Sequence, residues 1–419
     1  MPNSLKNKQL LSNTGFLYIT AISTQVLNLA TVPYLTRVLG PVVYGRIGLV
    51  LGYMAYVQIF LDFGFTLSAT KMIAENQKDN IKIERIISSV TFIKVMLSLG
   101  VAIFFWALYK VQVFDSINIS LLMIYLGGYL INALIPDYFY RGIENMKTIA
   151  IRTLIIKVIF TCLIFAFVKG TEDVYFVPAS FGIGCLVALI ITLIDIKRNY
   201  IVKLHFPSIN DIINIFRDTI PFFASRFAST FYQALDIIII GKIYGAAPEV
   251  GYYTSSDKVI SLVKMGASPI ADSLYPYMLN NKNYKLIKKL LIYVMPVITV
   301  GVIIVGIFAE SICAFVFGAE YAGSGNILRL LLPIAWVILP TYILAFPVMS
   351  PMGLVKYANF SNIIGMIIQV VGLLVLCFLG HLNIYTICGL TSITEVSVFL
   401  YRLMVVLIYA KKMESFSQK

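Results

Sequence analysis

From near residue 13 to near residue 410 the chain is a succession of apolar runs of about 20 residues, joined by short polar connections. Twenty residues of α-helix span about 30 Å, the thickness of a bilayer's hydrocarbon core. A backbone crossing that core must satisfy its own N–H and C=O groups, which leaves helices or closed barrels. These runs are too long and too uniformly apolar for barrel strands, whose residues alternate. Hydrophobic residues make up 59% of the chain and charged ones 13%, against about half and a quarter in a soluble domain. The chain reads as an all-α integral membrane protein.

The runs place helices near 13–34, 43–69, 86–109, 117–140, 149–169, 174–196, 212–241, 250–274, 289–309, 327–350, 357–379 and 384–410. That is about twelve transmembrane helices. The chain also repeats itself. Arg37-Val38-Leu39-Gly40 is followed by Gly45, and about 205 residues later Lys242-Ile243-Tyr244-Gly245 is followed by Gly251. The expectation is two six-helix lobes related by an internal repeat, residues 1–205 and 206–419. An even number of helices per half sets both lobes in the same orientation.

Basic residues fall on alternate connections. One set holds Lys6 and Lys8, Lys71 to Arg85, Arg141 to Arg152, Lys197 to Arg217, Lys282 to Lys289, Lys356, and Lys411 to Lys419. The other holds only Arg37, Lys110, Lys169 and Lys242. The rule that positive loops stay inside then puts both termini in the cytoplasm. It also explains the net charge of +13 without nucleic-acid binding. No GxxxxGK[ST] loop occurs, so ATP hydrolysis is not expected. The two histidines, His205 and His381, have no partner at metal-ligand spacing. Cys162, Cys185, Cys313, Cys377 and Cys388 lie in or beside apolar helices and read as packing residues. No connection is long enough to hold a folded catalytic loop, so no enzyme and no cofactor are expected.

Charge inside an apolar helix is costly and marks a candidate site. On helix 8, Asp257, Ser261, Lys264, Ser268 and Asp272 recur at three- and four-residue spacing and share about a quarter of the helix circumference. On helix 7, Arg226, Ser229, Gln233 and Asp236 do the same. Helix 1 carries an uncharged face of Asn13, Thr20, Thr24, Asn28 and Thr31. Helix 2 carries Arg46, the row Tyr53, Tyr56, Phe60 and Phe63, and Asp62 near its inner end. Helices 1 and 2 correspond to 7 and 8 under the repeat, so these faces can line an aqueous cavity between lobes, or be seams glued by hydrogen bonds. Arg46, Lys264 and Arg226 sit at outer, middle and inner depths. A ladder of cations suits an anionic passenger, with phosphate the obvious group. The aromatic row has two readings, a stacking surface for sugar rings or a lipid-facing strip. Lys94, Lys157, Glu395 and Arg402 read as structural charges, and Pro333, Pro340 and Pro347 as bends in helix 10.

The stretch Leu35-Thr36-Arg37-Val38-Leu39-Gly40-Pro41-Val42-Val43-Tyr44-Gly45, followed by Asp62-Phe63-Gly64-Phe65, resembles the opening of Wzx-type O-antigen flippases. These bacterial polysaccharide exporters belong to a superfamily that also holds lipid II flippases and MATE drug exporters. Residues 236–253 resemble the matching second-half region. The resemblance implies a V-shaped cavity lined by helices 1, 2, 7 and 8 in the bacterial inner membrane. It also implies a passenger, undecaprenyl-pyrophosphate-linked oligosaccharide, moved from the cytoplasmic to the periplasmic leaflet. Helix 1 here lacks the interior basic residues of the lipid II branch, so no site residue carries over from it. On this reading Arg46, Arg226 and Lys264, with Lys258 as a further candidate, hold the pyrophosphate. Asp62, Asp236 and Asp257 balance those charges or bind a coupling ion, proton or sodium. The partners are the lipid-linked oligosaccharide and membrane lipids, with a polysaccharide polymerase and its chain-length machinery open as protein partners. Two alternatives are a cation-coupled multidrug exporter of the same superfamily and a membrane glycan polymerase.

Overall fold

The computed structural model describes the backbone at residues 3–77, 79–111, 118–200 and 205–417. Side chains are described from Ile22 to Tyr409 within those ranges, except at Ala224, Ser225, Ala228, Ser229, Tyr232, Gln233, Pro276 and Asn280. The side chains of Asn13, Thr20, Ser229 and Gln233, and the basic residues Lys6, Lys8, Lys78, Lys203, Lys411, Lys412 and Lys419, thus lie outside the described residues. The described chain is helical and contains no strand. It packs as two compact units, residues 1–230 and 231–419.

The first unit contains α1 (Asn3–Asp62), α2 (Phe65–Glu75), α3 (Asn80–Lys110), α4 (Ile119–Ala133), α5 (Asp137–Gly142), α6 (Met146–Phe167) and α7 (Phe176–Asp195), and the first part of α8 (Ile209–Tyr244). Straight, the 60 residues of α1 would measure about 90 Å, three bilayer cores. Gly40 breaks it into two limbs by adopting φ 68. The repeat-related Gly245 has φ 60, just after α8. Both have positive φ, which glycine adopts readily and other residues rarely do. Proline follows each glycine at the start of the next helix, as Pro41 and as Pro248.

Other boundaries follow side-chain caps. Asp79, Asn118, Asn145 and Asn283 each accept a backbone N–H from the first turn of α3, α4, α6 and α10 respectively. These satisfy donors that a helix start leaves orphaned. The predicted helix 43–69 is interrupted: Phe63 has φ 45 and Gly64 φ 83, and α2 starts afresh at Phe65. A Cβ on Gly64 would lie 2.8 Å from the backbone nitrogen of Phe223. Glycine is thus required there by its conformation and by the close approach of α8. Phe63 leaves the helix and is buried, stacked on Phe216 at 4.6 Å and on Phe223 at 4.4 Å. It joins a core with Phe65, Ile73, Ile87, Tyr138 and Phe139. Small residues let helices approach: a Cβ on Gly184 of α7 would meet the Ile156 carbonyl of α6 at 3.0 Å.

The second unit holds the rest of α8, then α9 (Pro248–Asn281), α10 (Tyr284–Ile307), α11 (Ala309–Phe317), α12 (Ser324–Ile343), α13 (Val355–Phe378) and α14 (Ile384–Ser417). α12 is its centre, packed on α9, α10 and α14 through Ile338, Leu339 and Ile343. Of the three prolines at seven-residue spacing, Pro333 and Pro340 stay within α12. The helical backbone gives way at residues 344–349, where Ala345 has ψ −107 ahead of Pro347. Ile292, Val297, Val300, Ile303 and Ile307 of α10 are exposed, the surface that lipid covers.

Nine segments among the described residues are long and apolar enough to cross a bilayer. The first, Ile22–Glu75, has 54 residues, well over twice what one crossing needs. α8 and α9 have the length, 36 and 34 residues, but are absent from the nine. Their deficit is polarity: these are the helices that carry Arg226, Asp236, Asp257, Lys258, Lys264 and Asp272.

Candidate functional site

In the first unit, Asp62 ends the second limb of α1, and Arg226 lies on α8. Arg226 Nη1 donates to Asp62 Oδ2 at 3.3 Å, and the Thr66 hydroxyl donates to Asp62 Oδ1. The carboxylate side is 11% exposed and the guanidinium 48%. A half-exposed pair of this kind is worth under about 1 kcal/mol. It holds the arginine in place beside the carboxylate. The pair has aromatic neighbours: the Phe60 ring is 5.8 Å from Phe223 and 6.1 Å from Phe227, which bracket Arg226 on α8. Arg46, half-buried, lies on the same limb as Asp62 but 16 residues earlier, about 24 Å along the axis. These two cations therefore do not meet on one phosphate.

Other charges of this unit are committed within it. Arg152 pairs with Asp137. Lys94 is buried, donates to the Ala133 carbonyl at 2.9 Å and lies 5.3 Å from the Tyr138 ring centre. Lys157 reaches Asn28 Oδ1 at 3.4 Å, and Thr31 shares a hydrogen bond with Thr161 at 3.2 Å. The described part of the helix 1 polar face thus joins α1 to α6.

In the second unit, Lys264 of α9 pairs with Glu395 of α14 at 3.4 Å, with side chains 24% and 7% exposed. Asp257 accepts from Ser261 at 3.5 Å and Asp272 from Ser268 at 3.1 Å, so the α9 stripe is partly self-bonded. Lys258 is half-buried on the same helix. Asp236 is 1% exposed. Gln369 Nε2 donates to its Oδ1 and Thr391 Oγ1 to its Oδ2, both at 2.8 Å; Thr394 donates to Gln369 Oε1 at 2.7 Å. The carboxylate thus accepts from an amide N–H of α13 and a hydroxyl of α14, and makes no ion pair among the described residues. Arg402, also buried, is held by Ser361, Asn362 and the Thr341 carbonyl.

Sequence reasoning passed over Gln369, Thr391 and Thr394, and gave Glu395 no partner. A signal existed. Thr391, Thr394, Glu395 and Arg402 fall on one face of α14, and Gln369 is polar in the middle of apolar α13.

A family profile described as polysaccharide biosynthesis protein matches residues 10–282. A candidate O-antigen transporter of Shigella dysenteriae is 24% identical over 344 residues, 80% of this chain and 85% of that one. Another from Escherichia coli strain K12 is 26% identical over 265 residues, 63% of each chain. Among solved structures, the inward-facing form of a MATE-family multidrug resistance transporter of the MOP superfamily superposes with a TM-score of 0.72 at 16% identity, covering 94% of this chain and 99% of that one. The lipid II flippase MurJ, in an inward closed conformation, gives 0.72 at 12% identity, covering 93% and 87%. The fold is shared with both.

Proposed function

Because the chain belongs to the polysaccharide biosynthesis protein family, we propose that it is a flippase for lipid-linked oligosaccharide repeat units. It carries undecaprenyl-pyrophosphate-linked O-antigen units from the cytoplasmic to the periplasmic leaflet of the bacterial inner membrane, with both termini cytoplasmic. One observation carries the reading. A candidate O-antigen transporter aligns with four-fifths of this chain, on a fold that a lipid II flippase shares. The MATE likeness has the same TM-score, so the preference for glycan over drug rests on the sequence relatives.

Passage is by alternating access through a cationic central cavity. Arg226, presented by Asp62, is the strongest phosphate-binding residue, with Lys264, Lys258 and Arg46 engaging the passenger at other stages of its passage. Asp236 is the ion-coupling residue. A buried carboxylate held by neutral donors is costly as a bare anion, so it takes up a proton or a small cation during transport. A polymerase and its chain-length machinery would act on the delivered units.

The experiment is deletion of the gene in its host, with probes for surface polysaccharide and for undecaprenyl-linked units. Single repeat units accumulating on the cytoplasmic leaflet, with surface polysaccharide lost, support the reading. Unchanged polysaccharide refutes it in favour of drug export, and units stranded on the periplasmic leaflet favour a polymerase.

A further inference from the structure

Two apolar grooves cut into the units, each between helices that correspond under the repeat. In the first unit a groove of about 650 Å³ runs between the second limb of α1 and α3. Its walls are Tyr53, Tyr56 and Phe60 on one side and Met96, Gly100 and Phe104 on the other. The spacing of each set, three or four residues, makes a single stripe along each helix. The α3 lining runs from Met96 to Leu108, about 18 Å of helix. Phe60, Met96 and Phe104 are exposed, so the groove opens on the apolar surface that lipid covers.

The lining itself is uncharged, and an ion pair lies beyond its Phe60 end. Phe60, which lines it, is in ring contact with Phe223 and Phe227. Those phenylalanines flank Arg226, and Arg226 is paired with Asp62, two residues beyond Phe60. An apolar groove with a half-exposed guanidinium one aromatic contact beyond its end complements a ligand with an anionic head and an apolar chain. The second groove, about 500 Å³, lies between α9, α10 and α12 and is lined by Val263, Gly266, Ile270, Ile298, Gly301 and Leu339 among others, with no aromatic or charged residue. A plain acyl chain fills either groove equally well. Aromatic walls, and the Arg226–Asp62 pair beyond the Phe60 end, distinguish the first and suit a chain whose double bonds can pack on ring faces and whose head is a phosphate.

We infer that the α1–α3 groove holds the phosphate-proximal isoprene units of the passenger's polyprenyl tail while Arg226 engages its phosphate. This rests on the flippase reading and adds where the tail travels. The row Tyr53, Tyr56 and Phe60 is then a tail-binding wall, and Phe63, buried in the core, is not part of it.

The test uses the full chain in nanodiscs of phosphatidylethanolamine and phosphatidylglycerol, with a polyprenyl diphosphate bearing a diazirine on its third isoprene unit. After irradiation, adducts are mapped by peptide mass spectrometry. Two variants plug one groove each, Gly100→Trp and Gly301→Trp. A Cβ at either glycine meets nothing within 4 Å, so both are expected to fold. The proposal expects adducts within 53–60 and 96–108, reduced roughly tenfold by unlabelled polyprenyl diphosphate and by Gly100→Trp. Gly301→Trp and excess phosphatidylglycerol should leave them unchanged. Adducts shared equally between the grooves, competed equally by phosphatidylglycerol, or undiminished in Gly100→Trp would overturn it. Restoration of surface glycan by the wild type is scored separately and judges the flippase reading, so the groove can fail while that reading stands.

Discussion

Replacing Lys264 and Glu395, singly and together, separates a lysine that holds the fold from one that handles substrate. The pair is 3.4 Å apart, with the carboxylate side only 7% exposed. Coulomb's law at an effective dielectric of 20 gives 332/(20 × 3.4), about 5 kcal/mol, as an upper bound. The lysine is about a quarter exposed, which screens part of this, and an orphaned carboxyl can take up a proton. The expected loss for Lys264→Met or Glu395→Gln alone is therefore about 2–3 kcal/mol. The double variant buries no charge and should recover most of that loss. Thermal inactivation midpoints of the four proteins in one detergent give the stability cycle, and surface glycan gives the activity. The account expects both single variants to be less stable than wild type. The double variant should be near wild type in stability, yet defective in glycan export because Lys264 is gone. Wild-type export by the double variant would refute a substrate role for Lys264. A double variant no more stable than the singles would refute the pair as the source of the loss.

Three further outcomes follow from the same geometry. Asp236→Asn keeps an acceptor for Thr391 or Gln369 but removes the negative charge, so flipping should stop responding to a proton or sodium gradient while the protein still inserts; an unaltered response contradicts the coupling role. Arg226→Ala should abolish surface glycan at normal membrane abundance, with Arg226→Lys partly active because it keeps the charge without the fork; full glycan production by Arg226→Ala removes the phosphate role. Gly64→Ala combines φ 83 with a Cβ 2.8 Å from the Phe223 nitrogen, so a loss of about 2–4 kcal/mol is expected, read as a lowered inactivation midpoint; an unchanged midpoint would mean that α8 does not pack as described.

Much of the architecture was legible because bilayers impose simple arithmetic. Run length reveals helices, and the glycines of the repeat, Gly40 and Gly245, both prove to have positive φ. Run length alone sets four helix starts near 86, 117, 149 and 289, whereas the caps Asp79, Asn118, Asn145 and Asn283 put them at 80, 119, 146 and 284. The break at Phe63 and Gly64 was not legible, because apolar residues continue straight across it. What forces it is the contact of Gly64 with α8, about 160 residues away in sequence. The site divides along the same line. Periodicity puts Asp257 and Lys264 on one face of a helix, but which helix meets that face is a tertiary fact. Glu395 therefore surfaced only as a charge without a named partner, and the donors to Asp236 come from α13 and α14, over 130 residues further on.

The central claim is transbilayer movement of a lipid-linked glycan, and sidedness measures it directly. Purified full chain would be reconstituted into vesicles carrying undecaprenyl-diphosphate-linked repeat units in both leaflets, and the units open to an external glycan-modifying probe followed over time. The account predicts that units protected in the inner leaflet become accessible with the wild-type protein, and remain protected in protein-free vesicles and with Arg226→Ala. Equal accessibility in all three, with the protein correctly inserted, would contradict it.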